Sequence, residues 1–135
     1  MELYKGGIVP LADFVNMPYD RDILVRVIVK KTAAHYSYKS VRISKTDFPV
    51  LTCAAALTQE GVQAAVGARP AKAALVKDAE QLATLPMTAE KAQAFAEYAA
   101  GLLPTETNPR GSAAYRKHLI KVLTARCLTE LGGKA

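Results

Sequence analysis

The stretch that decides the reading of the fold is Arg110-Gly-Ser-Ala-Ala-Tyr-Arg-Lys-His-Leu-Ile-Lys-Val-Leu-Thr-Ala-Arg-Cys-Leu-Thr-Glu-Leu131. Pro109 and Gly111 break whatever precedes it, and Ser112 is a good N-cap whose hydroxyl can accept from an amide one turn in. Gly132-Gly133 supplies the stop, with freedom for a left-handed terminal residue. Between them Tyr115, Leu119, Val122, Leu123, Cys127 and Leu131 recur at three- and four-residue steps. That spacing makes one apolar stripe, so it predicts a helix that must lie on something. Arg116, Lys117, Lys121 and Arg126 fill much of the remaining circumference and read as a solvated face.

Upstream, residues 104–109 form a linker. Thr88 caps a helix in which Ala92, Phe95, Ala96, Ala99 and Leu102 face the core, and a further helix is expected from Ala73 to Leu85, with Leu75, Ala79 and Leu82 as its stripe. Before Pro70 the period shortens. Gly61–Gly67 and Phe48–Thr58 read as strands joined by a turn at Thr58-Gln-Glu-Gly61, where glycine tolerates positive φ. Ala54–Ala56 favours helix, but the flanking Val50, Leu51 and Thr52 and the turn favour a hairpin. His35–Ile43 alternates as another strand, with Tyr36, Tyr38 and Val41 as its burying residues. Ile23–Val29 is β-branched and apolar on both faces, so it belongs in an interior or waits for a partner. Residues 1–21 read as irregular, with a short helical turn at Leu11–Val15 and a loop at Asn16–Asp20. Strands first and helices after predict an α+β fold, a small antiparallel sheet of three to four strands packed against a three-helix bundle.

At 135 residues the chain suits one domain and can bury a real core. Half of it is hydrophobic, yet Trp is absent, so that core is built from many small contacts. No apolar run reaches the roughly 18 residues that would cross a bilayer, and the N-terminus lacks the parts of a signal peptide. Cys53 and Cys127 have neither metal nor disulfide-framework spacing and read as reduced core thiols of a cytoplasmic protein. A formal charge of +6 raises nucleic acid, a dinucleotide or an acidic subunit as partners. The bases are dispersed and no nucleic-acid motif accompanies them, which argues against nucleic acid. His35 and His118 have no neighbour at metal-ligand spacing, and none of the common nucleophile, zinc or phosphate motifs is present. A self-contained active site is not expected, with no catalytic residue and no metal ligand to name.

The run from Arg110 to Leu119, continuing to Val122, Leu123 and Arg126, resembles the closing helix of the FAD-binding (medium) subunit of molybdenum hydroxylases, the carbon monoxide dehydrogenase and xanthine dehydrogenase family. Lys39–Leu57 is similar to that family's lysine, basic corner, aspartate and apolar strand. Val62–Ala73 is similar to its next strand and turn, and Val9–Phe14 with Asp22–Val25 resembles the end of its preceding flavin-binding domain. The resemblance implies a division into a tail, residues 1–33, and a flavoprotein C-terminal-like α+β domain, residues 34–135. It also implies that Leu24 packs near the flavin and that Lys39 lies beside it, where an ammonium stabilises negative charge. The residue-level alternative makes Leu24 a core strand residue and Lys39 a surface lysine. Asp47 falls in the family corner, where it would cap or pair with Arg42 or Lys45.

The family's glycine-rich pyrophosphate loops would precede residue 1. The resemblance therefore implies the C-terminal part of a flavin-binding electron-transfer subunit, inactive alone. It would depend on an N-terminal FAD-binding part and on iron–sulfur and molybdopterin subunits. The alternative is an interaction or homodimerisation module that kept the fold and lost FAD.

Overall fold

The structure, a computed structural model, describes residues 1–18, 21–32, 34–70 and 72–133; the end of the expected loop at Asn16–Asp20 lies outside them. The chain falls into two units, residues 1–32 and 33–135.

In the first unit β1 (Glu2–Leu3) sits between β2 (Gly7–Ile8) and β3 (Leu24–Arg26), in the order β2-β1-β3, both pairs antiparallel. The expectation of an irregular start is corrected here. Gly7 takes positive φ in the hairpin, and the Asp22 carboxylate accepts from the amides of Lys5, Gly6 and Ile23, so one side chain ties the β1–β2 turn to the start of β3. Against partial desolvation, hydrogen bonds from three backbone amides hold the Asp22 carboxylate below the usual carboxylate pKa. Helix α1 (Leu11–Phe14) is the expected short turn. The strand expected over Ile23–Val29 forms only across Leu24–Arg26, tied to β1 by the Arg26–Glu2 ion pair. Its Val25 and the flanking Ile23, Val27, Ile28 and Val29 are exposed.

The second unit is built on a four-stranded antiparallel sheet in the order β4-β5-β6-β7. These strands are β4 (His35–Val41), β5 (Leu51–Thr58), β6 (Gly61–Gly67) and β7 (Ala74–Lys77). The β5–β6 hairpin closes as expected, with Thr58 opposite Gly61 and Gly61 at positive φ. Helices α2 (Ala89–Leu102) and α3 (Ala113–Gly132) form a layer whose core joins the sheet through Leu51, Cys53, Ala64, Val66, Val76, Phe95, Ile120 and Leu128. Thr88 and Ser112 cap them as anticipated, accepting from Lys91 N and Tyr115 N. The α+β class therefore stands.

Five details differ. The helix expected at Ala73–Leu85 is β7 followed by a turn. Val76 pairs with Ala64 and Ala74 with Val66, which covers an otherwise open β6 edge. Asp78 then accepts from Leu82 N and Ala83 N, a local side-chain bond that competes with helix. Among the described residues, the helical layer of this unit accordingly has two members. In β4 the alternation runs in the opposite phase: Tyr36 and Tyr38 are 60% and 59% exposed while Ser37 is buried. In α3 the buried face also takes in Arg116, Ile120, Thr124 and Leu128, whereas Tyr115 is exposed; Leu102 of α2 is exposed too, and Leu103 is buried in its place. Finally, Gly133 is right-handed, with φ −80°.

Gly132 is required for its size instead. A Cβ there would lie 2.5 Å from Met87 Cβ. Glycine to alanine in a helix ordinarily stabilises by about 0.5–1 kcal/mol, but overpacking costs about 1–3 kcal/mol. Gly132→Ala is expected to lower the thermal unfolding midpoint, while Gly101→Ala in α2, where a Cβ meets open space, should raise it. A rise for both variants would refute the close-contact account.

Candidate functional site

Strand β4 and the last turn of α3 bring together residues from opposite ends of the second unit. Ser37 and Lys39 are two apart, so both point to the helix-covered face of the sheet. Lys39 Nζ donates to Glu130 Oε2 at 2.7 Å, and Ser37 Oγ donates to the same oxygen at 3.0 Å. The ammonium is partly open, with side-chain exposures of 32% for Lys39 and 38% for Glu130. The hydrogen bond to the Glu130 carboxylate, helped by its charge, raises the Lys39 pKa above the ordinary lysine value against some desolvation. Lys39 is thus a half-exposed, held cation, neither the free surface lysine nor a core residue.

Beneath this pair lie the two thiols. Lys39 is in register with Cys53, whose sulfur is 3.4 Å from Thr124 Oγ1, and the Cys127 thiol donates to Cys53 O at 3.8 Å. Both cysteines are free and buried. The neighbouring Cys127 sulfur and burial push the Cys53 thiol well up. Among the described residues, no group of three His, Cys, Asp or Glu side chains is placed to hold a metal ion, and no helix is long and apolar enough to cross a membrane.

The corner after β4 is a second polar cluster. Arg42 Nη1 donates to Asp47 O at 2.7 Å, and Phe48 N donates to Asp47 Oδ1 at 2.7 Å. The Asp47 carboxylate pairs with Arg110 Nε at 3.5 Å. The Asp47 carboxylate therefore accepts from the next amide and caps no helix, and its ion-pair partner is Arg110, which only the tertiary fold brings near, in place of the anticipated Arg42 or Lys45. The Arg110 guanidinium also lies 5.3 Å from the centre of the exposed Phe48 ring, a cation–π distance.

Two buried arginines fix the connection that carries Arg110. Arg116 is 1% exposed. Its Nε donates to Val50 O at 3.0 Å, Nη1 to Glu106 O at 2.7 Å and to Gly111 O, and Nη2 to Asn108 Oδ1 at 2.6 Å. Arg69 donates to Pro104 O at 2.9 Å and twice to Lys72 O. The reading of Arg116 as part of a solvated face is corrected: the guanidinium supplies, in place of water, donors to Val50 O and to acceptors of the loop at 106–111.

Of the two residues singled out as flavin contacts, Lys39 stands in this cluster of the second unit. Leu24 stands in β3 of the first, in register with Leu3 and 44% exposed. Residue-by-residue reading missed Ser37 and Glu130. The i, i+2 relation to Lys39 marks Ser37 once the strand phase is known, but nothing local marks Glu130, 91 positions away.

The comparisons with known proteins agree on the architecture. No curated relative matches the chain. Among solved structures, quinoline 2-oxidoreductase from Pseudomonas putida 86 superposes with a TM-score of 0.63 and 23% identity, over 77% of this chain and 39% of that one. Carbon monoxide dehydrogenase from Hydrogenophaga pseudoflava, in a form lacking the Mo-pyranopterin moiety, gives 0.63 and 20%, over 76% and 38%. At such identities the likeness is one of fold, and the chain spans about two fifths of each neighbour's length. The family model of the CO dehydrogenase flavoprotein C-terminal domain matches residues 36–131, which takes in all of β5, β6, β7, α2 and nearly all of β4 and α3. On that match, the chain belongs to the CO dehydrogenase flavoprotein C-terminal domain family.

Proposed function

We propose that this chain is the C-terminal part of a flavin-binding, electron-transfer subunit of a molybdenum-hydroxylase-type oxidoreductase, of the carbon monoxide dehydrogenase or xanthine dehydrogenase kind. The observation that carries the reading is the family match across residues 36–131. The chain turns over nothing by itself. It completes an FAD site whose phosphate-binding half comes from an N-terminal FAD-binding part, with iron–sulfur and molybdopterin subunits beyond it. FAD, when bound, supplies the reversible electron store. The residues here fit a share in holding it. A held, half-exposed ammonium at Lys39 suits an electron-rich or anionic part of the cofactor, and the half-exposed Leu24 can pack on a ring. Residues 1–33 then correspond to the end of the preceding FAD-binding domain. The buried, unbridged thiols Cys53 and Cys127 favour a cytoplasmic setting.

Titration of the purified chain with FAD, followed by flavin fluorescence, tests the reading, alone and after reconstitution with a flavin-binding chain. Lys39→Ala is expected to weaken flavin retention by about tenfold, the worth of one charge-assisted hydrogen bond, while leaving the unfolding midpoint near that of the parent. Unchanged retention would remove Lys39 from the site.

A second reading has its own observation. The exposed apolar side chains around β3, an edge strand with Val25, Val27 and Val29 outward, suit strand addition between chains. A module that dimerises through residues 23–29 without FAD would give a stable dimer on sedimentation and no flavin quenching.

A further inference from the structure

We propose that Glu130 is the positioning residue for Lys39, with Ser37 as the anchor of its carboxylate, so that the ammonium is already fixed when an anionic or electron-rich ligand arrives. The inference rests on the flavin reading of Lys39 given above. One carboxylate oxygen of Glu130 takes both Lys39 Nζ, at 2.7 Å, and Ser37 Oγ, at 3.0 Å. A lysine side chain alone samples many rotamers, and ordering it opposes binding. Here the cost is met on folding, because Ser37 is buried on β4 and Glu130 lies in the last turn of α3, two elements in register with one core. The negative end of that helix favours the cation further. Two contacts on a single oxygen leave the remaining ammonium hydrogens of Lys39 uncommitted to Glu130, and the side chain is open enough to use them.

The competing account is neutralisation, in which Glu130 cancels the charge of Lys39 and opposes an anion. The two accounts predict opposite signs. Reductive methylation of the full chain, read by peptide mass mapping, reports whether Lys39 is held, without any flavin. Glu130→Ala is expected to speed methylation of Lys39 severalfold over the parent, Ser37→Ala less so, and Glu130→Asp to restore part of the protection. FAD titration of the same proteins reports what the holding is for. Glu130→Gln should loosen FAD by about tenfold, of the order of one charge-assisted hydrogen bond, with Glu130→Asp intermediate and the unfolding midpoints as the control for folding.

Unchanged methylation of Lys39 in Glu130→Ala would overturn the positioning role, and so would tighter FAD binding by Glu130→Gln, which is the signature of neutralisation. If the parent chain and its reconstituted complex both fail to bind FAD while methylation responds as expected, the flavin reading fails. Glu130 then stands as the residue that holds Lys39 for no flavin, and its proposed purpose is overturned with that reading.

Discussion

Arg116→Met is expected to destabilise the chain by about 2–5 kcal/mol, because hydrogen bonds to a charged group are worth about 1.5–3 kcal/mol each and are less than additive. The side chain is nearly inaccessible and reaches Val50 O, Glu106 O, Gly111 O and Asn108 Oδ1. Methionine fills much of the volume but donates nothing, so Val50 O and Glu106 O lose this donor at about 1–3 kcal/mol each, while Gly111 O keeps Asn108 N and Asn108 Oδ1 keeps Arg110 N. Arg116→Lys should recover little, since one ammonium on a flexible stem cannot span acceptors set around a planar fork. Urea unfolding followed by far-UV circular dichroism measures the effect. A loss below about 1 kcal/mol for methionine would mean that water enters and satisfies the same carbonyls. Opening of residues 104–112 should accompany the loss and be visible as faster amide exchange at Glu106, which donates to Arg69 O, and at Gly111, which donates to Asn108 O.

Phe95→Ala should cost a similar amount, about 3–5 kcal/mol. Phe95 is fully buried on α2, and the other buried residues of that helix are Ala92, Ala96, Ala99 and Ala100. Alanines cannot lengthen to fill a cavity, so the site collapses poorly and the upper part of the range is expected. Tyr98, whose ring centre is 6.2 Å away and tilted by 38°, loses its only aromatic neighbour among the described residues. Phe95→Leu, which retains most of the volume, should recover more than half of the loss. Chemical denaturation of both variants decides it: equal losses for alanine and leucine would show that ring shape rather than volume matters at this position.

How far the sequence could be read follows from how local each signal is. The caps at Thr88 and Ser112, the turn at Thr58–Gly61, the hairpin of β5 and β6 and the α2 stripe as far as Ala99 all sit within a few residues of what causes them, and each appears where its pattern places it. The family resemblance was legible for the same reason, since it rests on contiguous motifs. Errors arose where a local preference was outweighed by a distant partner. The pattern at Ala73–Leu85 fits a helix as well as an edge strand, and the open side of β6 decides for the strand. Tyr36 and Tyr38 are more hydrophobic than Ser37 and Lys39, yet Glu130 draws the polar pair inward.

By itself, the sequence determined the class of the fold, the ends of both long helices, the central hairpin and the kinship to a flavoprotein domain. Only the tertiary structure decided that Arg116 is a buried strut, that Asp47 answers to Arg110, and that Lys39 is held by Glu130. The physical reason is common to all three. A cation is stable under cover only where oxygens converge on it, and convergence of groups far apart in the chain is set by how strands and helices pack, which no window of sequence contains.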